Sequence, residues 1–484
     1  MKFIKAKILF TLFSLSLSTL GFGQVKLPKV IANNMVLQRN QPVPIWGWAK
    51  PNEAVSVSFK GQQKSATADA EGYWKVMLSS LSASNEPAEM VIKASNTVIL
   101  QNILVGEVWL VSGQSNIEYP MKHHYAKPRR SADSTIFELS AKYPEIRLFR
   151  VEKVLSHTLT TTGWNECNDP NTIGKFSAIG YYFARNLNRE LNVPIGILQA
   201  AWGGTRIEPW TTEEMYANLP AFKEFFDKKP LLISGVKAGR HFESMVKPLV
   251  PFALKGVLWY QGESNAMIND DMFYADKMQA LIEGWRKAWG IKMSFYSVGL
   301  APYYYTKRKD ALPHTSETLA KFWEAQKESL KIPNTDMVWT TDLVDDLADI
   351  HPPYKWVVAK RLSDLALSRD YKQKDLKVYG PTFKSMKVKK GKAYLSFSHA
   401  DGLKSVDGKV LNWFTIANAD GVFESALAKI EGNKIVVFNS KIITPTQVRF
   451  AWHEEAQPNL VNSSGLPAVP FRTDKATWNY KKSN

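Results

Sequence analysis

Five apolar segments in the middle of the chain constrain its fold more than any other feature. Each is apolar on both faces, and helix-like segments separate one from the next. The segments are residues 103–111, 195–200, 255–260, 295–300 and 337–340. Strands that are buried on both faces are typical of parallel sheets covered by helices on either side. Such sheets bind ligands at the carboxyl ends of their strands.

Apolar residues at helical spacing predict the helices that connect these strands. The pattern predicts helices over residues 176–190, 274–289 and 317–330, and a last helix after Pro352. In the last helix the apolar positions that recur with each turn are Val357, Val358, Leu362 and Leu365. The alternation of strands and helices predicts an α/β fold with a doubly wound sheet.

The regions on either side of this core alternate short strands with turn residues, as β modules do. We therefore predict an α/β domain flanked by N- and C-terminal β-sandwich modules. The predicted parts are a signal peptide at 1–23, an N-terminal β-sandwich module at 24–103, the α/β domain at 104–374 and a C-terminal β module at 375–484.

The first residues have the pattern of a targeting segment. Their start is basic, residues 8–20 are apolar, and a small-x-small site ends at Gly23. This pattern predicts cleavage near Gly23 and export to a bacterial periplasm or to the outside of the cell. The apolar run is short, and no cysteine lies close to the site, so we predict no membrane anchor.

Charge and cysteine content narrow the classes of partner. The formal net charge is +17, but the lysines are spread along the chain and no nucleic-acid-binding motif is present. We therefore predict no nucleic-acid partner, and a basic surface that is solvated or that steers an anionic substrate. The single cysteine, Cys167, cannot form an intramolecular disulfide, and we expect it to pack as a small hydrophobic residue.

Ser115 is the candidate nucleophile. It follows the first apolar strand in the run Gly-Gln-Ser-Asn at residues 113–116, at a turn between a strand and a helix. A serine hydroxyl needs a base within hydrogen-bonding reach before it can attack. Position 117 is Ile, so this turn is not the Gly-x-Ser-x-Gly elbow of α/β-hydrolases.

His351 is the candidate base. It follows the fifth apolar strand and precedes a helix that Pro352 opens. The positive end of a helix dipole disfavours imidazolium there and keeps the ring neutral and basic. Asp349 is the candidate carboxylate that orients the imidazole, with Asp345 and Asp346 as alternatives.

The tetrahedral intermediate of acyl transfer needs hydrogen-bond donors that converge on its oxyanion. The Ser115 backbone N–H is one candidate. A backbone N–H of Gly203 or Gly204 is a second, since glycine allows close approach. The side-chain amide of Gln261 is a third.

These residues resemble the sialate O-acetylesterase family of SGNH-type hydrolases. The resemblance runs through residues 106–118, 176–183, 202–210, 259–266, 349–352 and 465–474. It implies a flavodoxin-like three-layer catalytic domain that hydrolyses acetyl esters on sugars, with no metal or other cofactor. It also implies Ser115 as nucleophile, His351 as base, and the glycine pair and Gln261 as oxyanion groups.

The resemblance leaves open which group orients His351. Broader SGNH enzymes place an aspartate three residues before the histidine, and that position is Ala348 here. The alternatives are Asp349 or a Ser–His dyad that a backbone carbonyl holds in place.

Acetylated carbohydrate is the expected substrate. The candidate residues for binding it are Tyr119, Trp202, Arg206, Glu263 and Asn265. Arg206 is expected either to pair with a sialic acid carboxylate or to bond within the protein to Glu208 or Glu263. Tyr119 and Trp202 are expected to form sugar-binding walls or to pack in the core.

The sequence thus predicts an exported carbohydrate O-acetylesterase that works through an acetyl-serine intermediate. Acetyl groups on sialic acid are the first expected target, and plant glycans such as xylan or xyloglucan are the alternative. A non-catalytic glycan-binding protein and a peptidase on the same fold are the competing classes. The presence of Ser115, Gln261 and His351 disfavours the glycan-binding alternative.

Overall fold

The computed structural model describes residues 24–125, 142–156, 158–217, 219–226, 232–309 and 312–474. The predicted signal peptide at residues 1–23 lies outside the described residues. Within the described ranges, no helix combines the length and the apolar character needed to cross a membrane.

The N-terminal region consists of strands that lead directly into the central sheet. The strands are β1 (Val36–Gln38), β2 (Val43–Trp48), β3 (Ala54–Phe59), β4 (Gln62–Thr67), β5 (Tyr73–Leu78), β6 (Ser84–Lys93) and β7 (Thr97–Gly113). The first half of β7 pairs antiparallel with β6, and its second half runs parallel to core strands. The predicted boundary after residue 103 therefore falls inside one continuous strand.

The centre of the molecule is a predominantly parallel sheet. The strands that follow β7 are β8 (Tyr143–Val151), β9 (Thr161–Cys167), β10 (Ile195–Ala201), the hairpin of β11 (Leu232–Ile233) and β12 (Val236–Lys237), β13 (Gly256–Tyr260), β14 (Ser294–Val298) and β15 (Thr335–Val338). The order across the sheet is β15-β14-β13-β7-β10-β8-β9. Neighbouring strands are parallel except β8 and β9, which are antiparallel.

Without β8 and β9 at its edge, the sheet has the strand order 2-1-3-4-5 in chain numbering, which is the flavodoxin-like order. The five core strands coincide with the five apolar segments of the sequence. The predicted α/β class is therefore confirmed. In this order, the carboxyl ends of β7 and β13 lie at the point where ligands bind.

Helices lie on both faces of this sheet. The α-helices are α1 (Ser115–Glu118), α2 (Met121–Tyr125), α3 (Pro170–Lys175), α4 (Ala178–Leu191), α5 (Glu213–Ala217), α6 (Glu263–Ala266), α7 (Asp271–Trp289), α8 (Thr318–Glu328) and α9 (Lys355–Arg369). Short 3₁₀ turns cover Glu208–Trp210, Pro220–Phe225, Lys247–Leu249 and Ser329–Lys331, and a π-helical turn covers Phe242–Val246. Helices α4, α7, α8 and α9 correspond to the four predicted helices, which are thereby confirmed.

Tryptophans mark the two covered faces. Trp109 of β7 contacts Phe183 of α4, with ring centroids 5.2 Å apart. Trp109 pairs with Gly256, so alternation places Trp259 of β13 on the opposite face. There Trp259 contacts Trp285 of α7, at 6.0 Å between centroids. The result is three layers, with α4 and α9 packed together on one side of the sheet.

The C-terminal region is all β. Its strands are β16 (Thr382–Lys389), β17 (Lys392–Ser398), β18 (Lys404–Ser405), β19 (Phe414–Ala417), β20 (Glu424–Ser425), β21 (Leu427–Glu431), β22 (Lys434–Phe438), β23 (Gln447–Phe450), β24 (Leu460–Val461) and β25 (Phe471–Arg472). Two four-stranded antiparallel sheets share one hydrophobic core. Arg472 pairs with Glu324 of α8 at 2.7 Å, so this region is attached to the α/β region.

Candidate active site

The turn that carries Ser115 is shaped by the glycine before it. Gly113 ends β7 with φ = 131°, a conformation that side chains strain. A Cβ atom at Gly113 would lie 2.2 Å from the Tyr260 carbonyl oxygen of β13. Glycine is therefore required for β7 to turn beside β13. Ser115 then becomes the first residue of α1, where helix geometry leaves its N–H without an intrahelical acceptor.

His351 lies against Ser115 although 236 residues separate them. The distance from His351 Nε2 to Ser115 Oγ is 2.9 Å, within the range of a nucleophile and its base. The histidine stands in the loop between β15 and α9, and its side chain is 34% exposed. The structure therefore joins the predicted nucleophile and base at the carboxyl edge of the sheet, where solvent and substrate can reach them.

Asp349 lies beside the imidazole of His351 but contacts its backbone more closely than its ring. One Asp349 carboxylate oxygen accepts the His351 backbone N–H at 3.0 Å and lies 3.6 Å from Nδ1. The latter distance is an ion-pair distance and exceeds that of a hydrogen bond. The alternatives bond elsewhere, since Asp345 accepts the Tyr354 hydroxyl and Asp346 accepts the Ala348 N–H.

The glycine pair after β10 lies next to the nucleophile. The Trp202 N–H donates to the Gly113 carbonyl at 3.1 Å, and a Cβ atom at Gly203 would lie 3.3 Å from Ser115 Cβ. The Gly203 N–H already donates to a carboxylate oxygen of Glu118 at 2.6 Å. Gly204 has φ = 74° and open space where a side chain would stand, so its backbone is accessible to a ligand.

The Gln261 side chain is fully buried and is hydrogen-bonded to other protein groups. Its amide nitrogen lies 2.7 Å from Asn265 Oδ1 and 3.0 Å from Gln114 Oε1, and its amide oxygen accepts the Tyr274 hydroxyl at 2.8 Å. An amide nitrogen has two protons to donate. Both are directed at protein acceptors here, which differs from the predicted role of Gln261 as an oxyanion donor. Gln261 instead supports the nucleophile turn through Gln114.

Asn116 connects the nucleophile turn to the histidine loop. Its side-chain nitrogen donates to Glu263 and, at 3.1 Å, to the carbonyl of Ile350, which precedes His351. Its side-chain oxygen accepts from the ammonium group of Lys355, at the start of α9. We call Asn116, Glu263 and Lys355 the buried network, since each is at most 2% exposed.

Burial governs the charge of this network. Removal from water raises the pKa of Glu263, while Asn116 and Lys355 act in the opposite direction. A buried carboxylate and a buried ammonium are tolerated only because they are hydrogen-bonded and close to opposite charge. Lys355 and Glu118 were not among the predicted site residues, because a lysine or a glutamate on a helix is most often a solvated residue.

Two further predicted substrate residues, Asn265 and Arg206, bond within the protein. Asn265 is fully buried; its amide oxygen accepts the Ile207 N–H at 3.0 Å, and its nitrogen donates to Asp270 at 2.7 Å. Arg206 donates to the Ser234 carbonyl at 2.7 Å and lies 3.6 Å from Glu208. Arg206 therefore bonds within the protein, as the second of its two predicted roles requires. Glu263 and Asn265 lie below the accessible surface of the site.

Aromatic residues border the reactive pair of Ser115 and His351. The Tyr119 ring lies 6.0 Å from the His351 ring, between centroids, and is partly exposed. Trp202 is also partly exposed and stacks on His241 at 4.8 Å. Burial lowers the pKa of His241 to about 4, so this ring is neutral at pH 7. His241 was not predicted, because only the fold brings it under Trp202.

Comparisons with known proteins agree on one kind of enzyme. The family model described as "Carbohydrate esterase, sialic acid-specific acetylesterase" matches residues 105–358, which include Ser115 and His351. The sialate O-acetylesterase of Homo sapiens is 28% identical over 93% of this chain and 92% of its own length. That of Mus musculus is 28% identical, over 93% and 94% respectively. The crystal structure of a carbohydrate acetylesterase from Xanthomonas citri is 33% identical with a TM-score of 0.81, covering 94% of this chain and 100% of that one.

Proposed function

Because the chain belongs to the sialic acid-specific acetylesterase family of carbohydrate esterases, we propose that it is an exported serine esterase that removes acetyl groups from sugars. The observation that supports this most directly is the 2.9 Å contact between Ser115 Oγ and His351 Nε2. Membership of the family implies an acetylated carbohydrate as the substrate. The serine mechanism, export and the identity of the sugar belong to the proposal.

The first half of the reaction forms an acetyl-enzyme. Ser115 Oγ attacks the acetyl carbonyl carbon while His351 Nε2 takes the hydroxyl proton. The tetrahedral intermediate collapses, the bond to the sugar oxygen breaks, and His351 gives its proton to that oxygen. The sugar leaves as an alcohol, and the acetyl group remains on Ser115.

The second half returns the enzyme to its starting state. Water attacks the acetyl carbon while His351 Nε2 takes a proton from it. The bond from Ser115 Oγ to the acetyl carbon then breaks, the proton passes to Oγ, and acetic acid is released as acetate at neutral pH. The same histidine thus serves as base and acid in turn.

Backbone N–H groups are the proposed donors to the oxyanion. The Ser115 N–H has no intrahelical acceptor, and the Gly204 backbone faces open space. Both are on the turns that lie beside the nucleophile. Donors held rigidly by the backbone need little reorganisation as charge develops on the carbonyl oxygen. Gln261 supports the nucleophile turn through its hydrogen bond to Gln114.

Asp349 is the proposed group that orients the imidazole. Its contact with the His351 backbone N–H fixes the loop, and its charge lies 3.6 Å from Nδ1. A negative charge at that distance favours the imidazolium that forms during each proton transfer. This arrangement lies between a full triad and a simple dyad.

O-acetylated sialic acid is the first proposed substrate. The human and mouse relatives are named sialate O-acetylesterases. The relative from Xanthomonas citri is described as a carbohydrate acetylesterase, and acetylated plant glycan such as xylan or xyloglucan remains the second candidate. The basic start of the chain and its apolar run support export to a bacterial periplasm or beyond.

The test is acetate release by the mature protein from O-acetylated sialic acid and from acetylated xylan, with Ser115→Ala as control. We expect release that Ser115→Ala abolishes. Release from xylan alone would replace sialic acid with plant glycan. A wild-type protein that leaves both sugars and p-nitrophenyl acetate intact would contradict the esterase proposal and favour glycan binding.

A further inference from the structure

A small polar cleft opens beside the nucleophile, and the mechanism above makes no use of it. Its volume is about 190 Å³. Its lining residues are Glu118, Pro120, Lys122, His123, Arg150, Lys175 and Gln199. We call it the basic cleft. Because a water molecule takes up about 30 Å³ in the liquid, the cleft has room for a ligand group of several heavy atoms.

The basic cleft adjoins the proposed active site through Glu118. Glu118 is the last residue of α1, the helix that Ser115 begins. The Glu118 carboxylate lies 2.6 Å from the Gly203 backbone nitrogen, and Gly203 lies against Ser115. A substrate whose acetyl group is at Ser115 therefore has this cleft within reach of its sugar.

Positive charge dominates the described lining of the cleft. Lysines 122 and 175 have no carboxylate partner among the described residues. Arg150 has one, since it pairs with Glu152 at 2.6 Å and also donates to the Lys175 carbonyl. Among the described residues that line the cleft, Glu118 is the one carboxylate, and Lys153 at 2.7 Å offsets its charge in addition to its bond with the Gly203 N–H.

An amide donor in the wall of the cleft adds to this positive charge. Gln199 of β10 is only 3% exposed, and its side chain lines the cleft. Its amide oxygen accepts the Ser177 N–H at 2.9 Å, which leaves the amide nitrogen for the cleft. Within the described ranges, no protein group accepts from that nitrogen. This nitrogen can therefore donate to an acceptor on a ligand in the cleft.

We propose that the basic cleft binds the carboxylate of an acidic acetylated sugar while the acetyl group lies at Ser115. A carboxylate accepts hydrogen bonds from ammonium and amide donors and is stabilised by their positive charge. The role that the sequence suggested for Arg206 thus passes to Lys122, Lys175 and Gln199, because Arg206 is bonded to Ser234 and lies near Glu208. This inference rests on the proposed esterase function and specifies its substrate class.

The experiment compares an acidic substrate with its neutral form. The two substrates are O-acetylated sialic acid and its methyl ester, whose carboxyl group is neutral and carries an added methyl group, and acetate release is followed for both. The quantity measured is the preference, the ratio of kcat/KM for the acid to kcat/KM for the ester. The test variant is Lys122→Met with Lys175→Met, which keeps the apolar stems. The matched control is Lys331→Met with Lys360→Met, two exposed lysines elsewhere with the same loss of charge.

We expect the wild-type protein and the control variant to prefer the acid. In the test variant this preference should be about tenfold smaller, mostly because KM for the acid rises. The effect is no larger because exposed charge contacts are individually weak. Added salt should weaken the wild-type preference, because it screens exposed charges. A test variant with the wild-type preference, or a wild-type protein without one, would overturn the proposal. Turnover of p-nitrophenyl acetate separates this outcome from failure of the esterase function itself, in which no ester is cleaved.

Discussion

Two sets of polar residues at the carboxyl edge of the central sheet differ in their exposure and in the number of hydrogen bonds that they make to the protein. The reactive pair of Ser115 and His351 is partly exposed and shares one contact of 2.9 Å. The buried network of Asn116, Glu263 and Lys355 is almost without exposure, and one asparagine amide in it bonds to three other residues. The difference teaches that bonds to the protein hold the site together, while groups left open to solvent are those that can react.

The comparison predicts that removing the nucleophile abolishes activity without unfolding the protein. Ser115→Ala should lower kcat on p-nitrophenyl acetate by roughly 10⁴-fold or more, as in other serine hydrolases. The free energy of unfolding should change by less than about 1 kcal/mol, since a partly exposed hydroxyl contributes little. Steady-state kinetics and urea unfolding measure the two. A Ser115→Ala variant that retains about 1% or more of the wild-type activity would exclude Ser115 as the nucleophile.

A substitution in the buried network should act mainly on the stability of the protein, unlike Ser115→Ala, which acts on its activity. Lys355→Met removes the nearby cation that favours the Glu263 carboxylate and leaves the buried Asn116 amide oxygen without its donor, so the free energy of unfolding should fall by about 1–3 kcal/mol. Urea unfolding of this variant is the measurement. The double variant Lys355→Met with Glu263→Gln should recover much of the loss, because the unpaired charge is gone. Lys360→Met, an exposed lysine on the same helix, is the matched control and should change stability by less than about 0.5 kcal/mol.

Acid should partly rescue the Lys355→Met variant. Burial raises the native pKa of Glu263 above its unfolded value, so the native state binds the proton more tightly. The contribution of Glu263 to stability is then greatest below the unfolded pKa, of about 4.3, and falls as pH rises through the native pKa. We expect the deficit of Lys355→Met relative to wild type to shrink as the pH is lowered from 7. The same deficit at every pH would contradict a charged, unpaired Glu263.

Asp349 tests whether the reactive pair needs a third member. Asp349→Asn keeps an acceptor for the His351 backbone N–H but removes the charge near Nδ1. We expect kcat to fall about tenfold, far less than the roughly 10⁴-fold loss seen when a full triad loses its aspartate charge. Steady-state kinetics measure kcat. A loss above about 10³-fold would place Asp349 in a full triad, and no loss would leave a Ser–His dyad.

Glu118 should give the smallest effect. Glu118→Gln keeps an oxygen that can accept the Gly203 N–H, so kcat should change by no more than about threefold, in line with the modest net value of one hydrogen bond. Glu118→Leu removes the acceptor and should cost more than Glu118→Gln. Equal losses in the two variants would show that the charge, and not the contact with Gly203, is what the site needs.

The sequence predicts that Ser115 and His351 lie close together for a physical reason. A nucleophile must stand at the end of a strand and its base must reach it, and both residues follow apolar segments whose carboxyl ends meet at one edge of a parallel sheet. Ser115 and His351 could therefore be placed together from their positions alone, and the 2.9 Å contact agrees with that placement. The α/β class and the main helices followed from apolar spacing in the same way.

Burial could not be predicted from the same motifs. Gln261, Glu263 and Asn265 follow an apolar strand as Ser115 does, yet their side chains lie inside the protein and bond to it. Whether a polar residue faces solvent or a partner depends on what packs above it. For these residues that packing comes from parts of the chain distant in sequence, such as Asn116 beside Glu263.

The sequence by itself determined the α/β class and the strands that end beside Ser115 and His351, because local patterns of apolar and polar residues encode these features. Only the tertiary structure decided that β7 continues from the N-terminal strands into the core, that Arg206 lies near Glu208, and that Lys355 reaches Asn116. The physical reason is that the cost of a buried charge or amide depends on its three-dimensional partners, and those are set by the packing of distant segments.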